Sequence, residues 1–246
     1  RKNRFHRNDR RESDLMRSAL IACITLVKEI SHILGQEPAK IDVILYVPSG
    51  LHNTTSRLQE AVREQMRLLE GKGIERLLLC FGLCGNVVEG LVTGDYETVM
   101  PKADDCITLL LGSAERRREL DKTKRGYFLT EGWLQGEANL HKEYKDAVEM
   151  YGQEMADAIY REIFQGYEYL TLIDTGRPDY RAFVEKGKKI AEDFGLKPLS
   201  VKGEQSWLRD YLLQDIEDLQ KQNKVVIYPP HSKMRFQDFI PSEEEK

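Results

Sequence analysis

Apolar and polar positions along this chain alternate between unbroken runs and helical steps. Residues 18–23, Ser-Ala-Leu-Ile-Ala-Cys, form a nearly continuous apolar run, the pattern of a parallel strand covered on both faces. A helical stretch over 27–34 follows, then a second strand over 41–47. Thr54 stands as an N-cap before a helix whose apolar positions Leu58, Ala61, Val62, Met66 and Leu69 step by three and four. Gly71 and Gly73 stop that helix. Residues 74–81 and 98–101 predict strands three and four. Residues 106–120 predict a helix, with Asp104 and Asp105 placed where carboxylates favour its positive end. Residues 127–130 predict a short fifth strand.

Beyond Trp133 the pattern changes. Residues 137–164 read as a long helical region bent near Gly152. Strands at 169–173, 196–201 and 224–228 then alternate with helices at 180–194 and 205–219, and Pro229 and Pro230 end the last strand. This alternation predicts an α/β fold with Rossmann-like parallel sheets covered by helices. The expected organisation is a basic tail over 1–17, a first α/β half-domain over 18–134, a second half-domain with a helical insert over 135–235, and a tail over 236–246. The two halves are expected to face each other across a cleft. One continuous sheet with an inserted helical segment is the alternative.

Composition narrows the picture modestly. A net charge of −4 with 32% charged residues gives no general pull toward nucleic acid or an anionic surface. Arg1, Lys2, Arg4, Arg7, Arg10 and Arg11 make the first stretch basic; a solvated tail is the expected reading, with nucleic acid not favoured as a partner. The longest apolar run, residues 19–27, is interrupted by Thr25 and falls far short of the about 20 residues a spanning helix needs. No apolar stretch backs the basic start. Four cysteines in 246 residues are too sparse for a disulfide framework. The expectation is a cytoplasmic protein without a membrane partner, its oligomeric state left open.

The cysteines become informative through their positions. Cys23 closes the first strand. Cys84 lies in Gly82-Leu83-Cys84-Gly85-Asn86, just after the third. Cys106 follows the fourth in Asp104-Asp105-Cys106-Ile107, and His52 sits in the loop after the second. In a parallel sheet these loops emerge on one edge, where open α/β folds bind ligands. Thiolates with an imidazole suit a tetrahedral site for zinc or iron, or an iron–sulfur cluster. Alternatively Cys106, at a helix N-terminus, is a nucleophile with a depressed pKa and His52 as its base. Gly82 and Gly85 let backbone N–H groups approach a ligand, with Asn86 and Asp105 beside them. Cys80, inside the third strand, is assigned to the core and held as a reserve ligand. Taken singly, each cysteine also reads as a small buried hydrophobe.

A second candidate is Asp174-Thr175-Gly176, a carboxylate, a hydroxyl and a flexible residue ending a strand. It is expected to face the same cleft from the second half, and a plain turn into the helix that Pro178 opens is the competing reading. Phosphate-binding GxxxxGK[ST], dinucleotide GxGxxG and GxSxG elbow patterns are absent.

At these same loops the chain resembles the DUF1638 family, a group found largely in anaerobic bacteria and methanogenic archaea. The matching segments are Ala22-Cys23 with Glu29 downstream, Leu51-His52, Gly82-Leu83-Cys84-Gly85-Asn86, Met100-Pro101, and Asp105-Cys106-Ile107 with residues 109–113. Residues 127–133, Asp174-Thr175-Gly176 and Pro229-Pro230 also fit. The chain departs at Asp104, where a histidine is expected, and at Ile24, where a glycine is expected after the cysteine. The resemblance implies association with corrinoid-dependent methyl transfer, hence a metal, a corrinoid or another tetrapyrrole as cofactor. It also implies a corrinoid protein or methyltransferase as partner. Three functions follow as expectations. The first is a metal-binding protein of anaerobic one-carbon metabolism with Cys23, His52, Cys84 and Cys106 as ligands. The second is a Cys106 nucleophile enzyme, and the third a non-catalytic docking partner.

Overall fold

The computed structural model describes residues 16–48, 51, 54–135 and 139–240. Most of the basic tail, His52 and the last six residues lie outside the described residues. Strand β1 (Ser18–Cys23) is buried at every position. It sits inside a five-stranded sheet with β2 (Val43–Val47), β3 (Arg76–Cys80), β4 (Glu97–Pro101) and β8 (Val225–Tyr228), in the order β2-β1-β3-β4-β8. The first four strands are parallel, and β8 returns antiparallel to β4. Helix α1 (Val27–Gln36) carries the chain from β1 outward to β2. Helix α2 (Thr55–Arg67) carries it back across β1 to β3, burying Leu58, Val62 and Met66. Successive connections therefore leave β1 on opposite sides, which makes the gap between the carboxyl ends of β1 and β3 the topological switch point.

The second sheet is three-stranded and fully parallel, β5-β6-β7, built from β5 (Gly126–Leu129), β6 (Tyr169–Asp174) and β7 (Lys197–Lys202). Helices α6 (Leu140–Tyr151), α7 (Gln153–Ile163) and α8 (Tyr180–Asp193) supply its core. There Tyr144, Tyr160, Phe164 and Phe194 pack ring on ring, with Tyr160 and Phe194 stacked at 5.4 Å. Phe128, Ile173 and Val201 of this sheet pack instead into the larger core under the first sheet. The architecture is thus α/β, with parallel sheets flanked by helices.

Several expected elements differ in detail. Strand β5 joins the second sheet and β8 the first, so the divide expected between residues 134 and 135 does not follow the sheets. The helix expected over 106–120 is two helices, α3 (Cys106–Leu111) and α4 (Ala114–Thr123). Gly112 ends α3 at a left-handed φ of 83°, and the Ser113 hydroxyl caps α4 by accepting from the Arg116 amide. Likewise residues 205–219 divide into α9 (Ser206–Leu212) and α10 (Ile216–Lys221), with Gln214 at φ 64° between them. A short helix α5 (Glu131–Gln135) follows β5. The bend near Gly152 is present, at φ 82°. Among the described residues no helix is long and apolar enough to cross a membrane.

Strands β3 and β4 pair only as far as Leu78 and Val99. Past that point the Tyr211 hydroxyl of α9 is wedged between them, 2.7 Å from the Val99 carbonyl and 3.0 Å from that of Leu79. One hydroxyl thus bridges the carbonyls of two neighbouring strands.

Candidate thiol site at the switch point

Three cysteines reach the carboxyl edge of the first sheet by different local means. Cys23 arrives as the last residue of β1, fully buried, and its sulfur accepts from the Thr25 hydroxyl at 3.0 Å. Cys84 arrives on a left-handed turn, with Cys84, Gly85 and Asn86 at φ 41°, 75° and 69°. A cysteine at such a φ stores strain that the surroundings must hold. The holding is visible: the amides of Leu83 and Cys84 donate to the carbonyls of Ala103 and Asp104 at 2.9 and 3.0 Å. Gly82 makes this clamp feasible, because a Cβ there would lie 2.4 Å from the Asp105 backbone.

Cys106 opens α3 directly beneath that clamp. Its neighbour Asp105 caps the helix, accepting from the Thr108 amide at 2.7 Å and the Thr108 hydroxyl at 2.8 Å. Cys106 is buried and in hydrogen-bonding contact with Cys23, Cys84 and Thr25. Its contact with Cys23 favours the thiolate, but the contact with Cys84 and burial outweigh it, and the thiol is pushed up. This corrects the expected depressed pKa. The start of α3 already holds the Asp105 carboxylate, and the Cys106 thiol is buried beside Cys84. Cys80 is fully buried in β3, its thiol pushed up by burial and by nearby Cys23. None of the four cysteines is in a disulfide. Among the described residues no group of three or more His, Cys, Asp or Glu side chains is arranged to hold a metal ion.

The second sheet meets this edge with its own carboxyl ends. Thr130, after β5, donates its hydroxyl to the Thr25 carbonyl at 3.2 Å, and Gly132 packs so closely that a Cβ would lie 2.4 Å from the same oxygen. The Asp174-Thr175-Gly176 loop divides its labour. Asp174 accepts from the Gly176 amide at 2.9 Å, shaping its own turn, while the Thr175 hydroxyl reaches across to Glu29 at 3.2 Å. The segment therefore faces the first half through Thr175. Asn86 and Gly85 are exposed at the tip of their loop.

Sequence reading missed the charged cluster beside this junction. The Arg177 guanidinium pairs with Glu131, lies 3.3 Å from Glu29 and 3.4 Å from Asp179. Glu29, Glu131 and Arg177 are all buried, and Glu29 Oε2 has no hydrogen-bond partner among the described residues. Burial raises the Glu29 pKa above its ordinary value, partly offset by Arg177. Only the position of Glu29 in the family resemblance hinted at it; nothing local marks Arg177 or Glu131 as buried.

A surface cavity of about 860 Å³ lies elsewhere, at the amino edge, lined by Arg63, Arg67, Glu70, Tyr96 and His231 among others. It touches none of the thiols. Its polar lining includes an exposed His231–Asp95 pair at 3.1 Å, an ordinary surface contact, and concavity alone supplies no chemistry.

A family model described as a protein of unknown function, DUF1638, matches residues 46–212, about two thirds of the chain. No curated protein and no solved structure matches it.

Proposed function

The chain belongs to the DUF1638 family, and we propose that it binds a soft metal ion, or a metal-containing cofactor, through the thiols of Cys23, Cys84 and Cys106. One observation carries this reading: at the switch point of a parallel sheet, Cys106 has the Cys23 and Cys84 thiols as side-chain neighbours. The donors suit such a group in chemistry; among the described residues the three thiols are not drawn together into a coordination set, so loading would have to bring them closer. His52, from the loop after β2, is the proposed fourth donor.

Cys23 favours the Cys106 thiolate, but Cys84 and burial outweigh it and push the thiol's pKa up. A bound cation reverses that balance, because ligand cysteines deprotonate on binding. Zinc or iron, an iron–sulfur cluster, or a corrinoid or other tetrapyrrole metal would supply Lewis-acid, redox or methyl-transfer chemistry. The protein's own part is to hold the sulfurs. The Gly82 clamp fixes Cys84 against Cys106, Asp105 fixes the start of α3, and the Thr25 hydroxyl orients Cys23. A cytoplasmic role in anaerobic one-carbon metabolism, as the resemblance implies, accords with cysteines that carry no disulfide. Helix activation no longer favours Cys106 as a nucleophile.

A second reading, docking on a corrinoid protein or methyltransferase, draws on the exposed Met150, Tyr151 and Met155 where α6 meets α7. The metal reading is tested by elemental analysis and visible absorption of chain purified without oxygen, beside Cys84→Ser. Metal in the wild type and its loss in the variant support it. Equal metal content in both, or none in either, overturns it.

A further inference from the structure

Burial separates the three sulfurs into one that meets solvent and two that do not. Cys84 is half-buried on its loop, Cys106 is 7% exposed and Cys23 is wholly enclosed. The loops of Cys84 and Cys106 are zipped together by two backbone hydrogen bonds and by the close seat of Gly82 on Asp105. Cys23 is engaged by Thr25 as well as by Cys106. We propose that Cys84 and Cys106 form a reversible disulfide, entered by thiol–disulfide exchange at Cys84 with a low-molecular-weight disulfide.

The order of steps follows from exposure. The Cys84 thiolate attacks one sulfur of the external disulfide, whose S–S bond breaks and whose other half leaves as a thiol after taking a proton. Cys106, losing its proton, then attacks the Cys84 sulfur of the mixed disulfide and expels the second half as a thiol. Two protein thiols are oxidised by two electrons, and one external disulfide is reduced to two thiols. Cys23 stays reduced, because the enclosing core keeps the reagent from it and Cys106 is already committed. The bond uses two of the sulfurs proposed as ligands, so oxidation would close the site to a soft metal. The proposal itself rests on the backbone clamp that joins the two loops and on the exposure of Cys84, not on the metal reading, and is tested on metal-free chain.

Reduced, metal-free protein is incubated with oxidised glutathione, quenched in acid and alkylated. Its peptides are then mapped by mass spectrometry. The expected result is a Cys84–Cys106 linkage with two equivalents of glutathione released per chain. Cys106→Ser should stop at a single glutathione adduct on Cys84, and Cys23→Ser should still form the linkage. A Cys23–Cys106 linkage, an adduct on Cys84 that persists in the wild type, or four alkylatable cysteines after prolonged exposure would overturn the proposal. Repeating the reaction with zinc present separates the two readings. A Cys84–Cys106 bond formed equally fast with zinc contradicts the metal reading and leaves the disulfide standing.

Discussion

Two buried polar regions meet where the sheets join, and they solve the problem of burial in opposite ways. Cys23 closes β1, and Glu29 lies in the first turn of α1 just beyond it. Around Glu29 the protein encloses charges and supplies its own cation: Arg177 lies against Glu29 and Glu131. Around Cys23 it gathers thiols and a hydroxyl, with Thr25 and Cys106 as neighbours. The ionic junction, one guanidinium shared by two carboxylates, ties the halves together. On the proposed reading, the thiol rim becomes charged when a soft cation binds and displaces its protons. Sulfur donors suit such a cation better than the carboxylates do.

The largest expected effect breaks the junction. Arg177→Met leaves two buried carboxylates without their cation, a change that costs about 3–5 kcal/mol for a buried pair. Denaturant unfolding of the variant should show that loss. A change near zero would mean that the carboxylates find other partners. Next comes the clamp of the rim. Gly82→Ala places a methyl group against the Asp105 backbone, and overpacking of this kind costs about 1–3 kcal/mol. Cys84 should also alkylate faster in that variant, because its loop is pushed from its seat. Asp105→Ala removes the cap of α3 for about 1 kcal/mol, and a melting curve indistinguishable from wild type would argue that the Thr108 contacts contribute nothing.

The smallest effect concerns pH. The Glu29 pKa is raised in the folded chain, so the folded state holds this proton more tightly than the unfolded one. Its contribution to stability is fully present below the unfolded value near 4.5 and is lost as pH rises through the folded pKa. Glu29→Gln cannot ionise, so the variant should gain on the wild type as pH increases above about 4.5. Midpoints measured across that range check the sign. A variant that loses ground instead would show that Glu29 is stabilised as a carboxylate.

These regions also differ in how far the sequence revealed them. The placement of Cys23, Cys84 and Cys106 toward one sheet edge was legible because each ends or follows a strand of a parallel sheet, whose carboxyl ends share one edge. Asp105 was legible as a cap for the same local reason. The junction was not, since Glu29, Glu131 and Arg177 are far apart in the chain and each looks like an ordinary surface charge. Burial of an ion pair depends on tertiary packing, which leaves no periodic trace. The helix break at Gln214 was hidden by an apolar pattern that runs on through it to Ile216 and Leu219. The antiparallel return of β8 was hidden because strand direction is a matter of connection, not of composition.

The most direct test of the account is a zinc titration of reduced, oxygen-free protein in weak buffer, with binding and proton release followed together. The account predicts saturable binding that strengthens as pH rises, with protons expelled from the thiols on loading, and both signals lost in Cys84→Ser. Binding without proton release, or binding unchanged in Cys84→Ser, would contradict a thiolate site at the carboxyl edge.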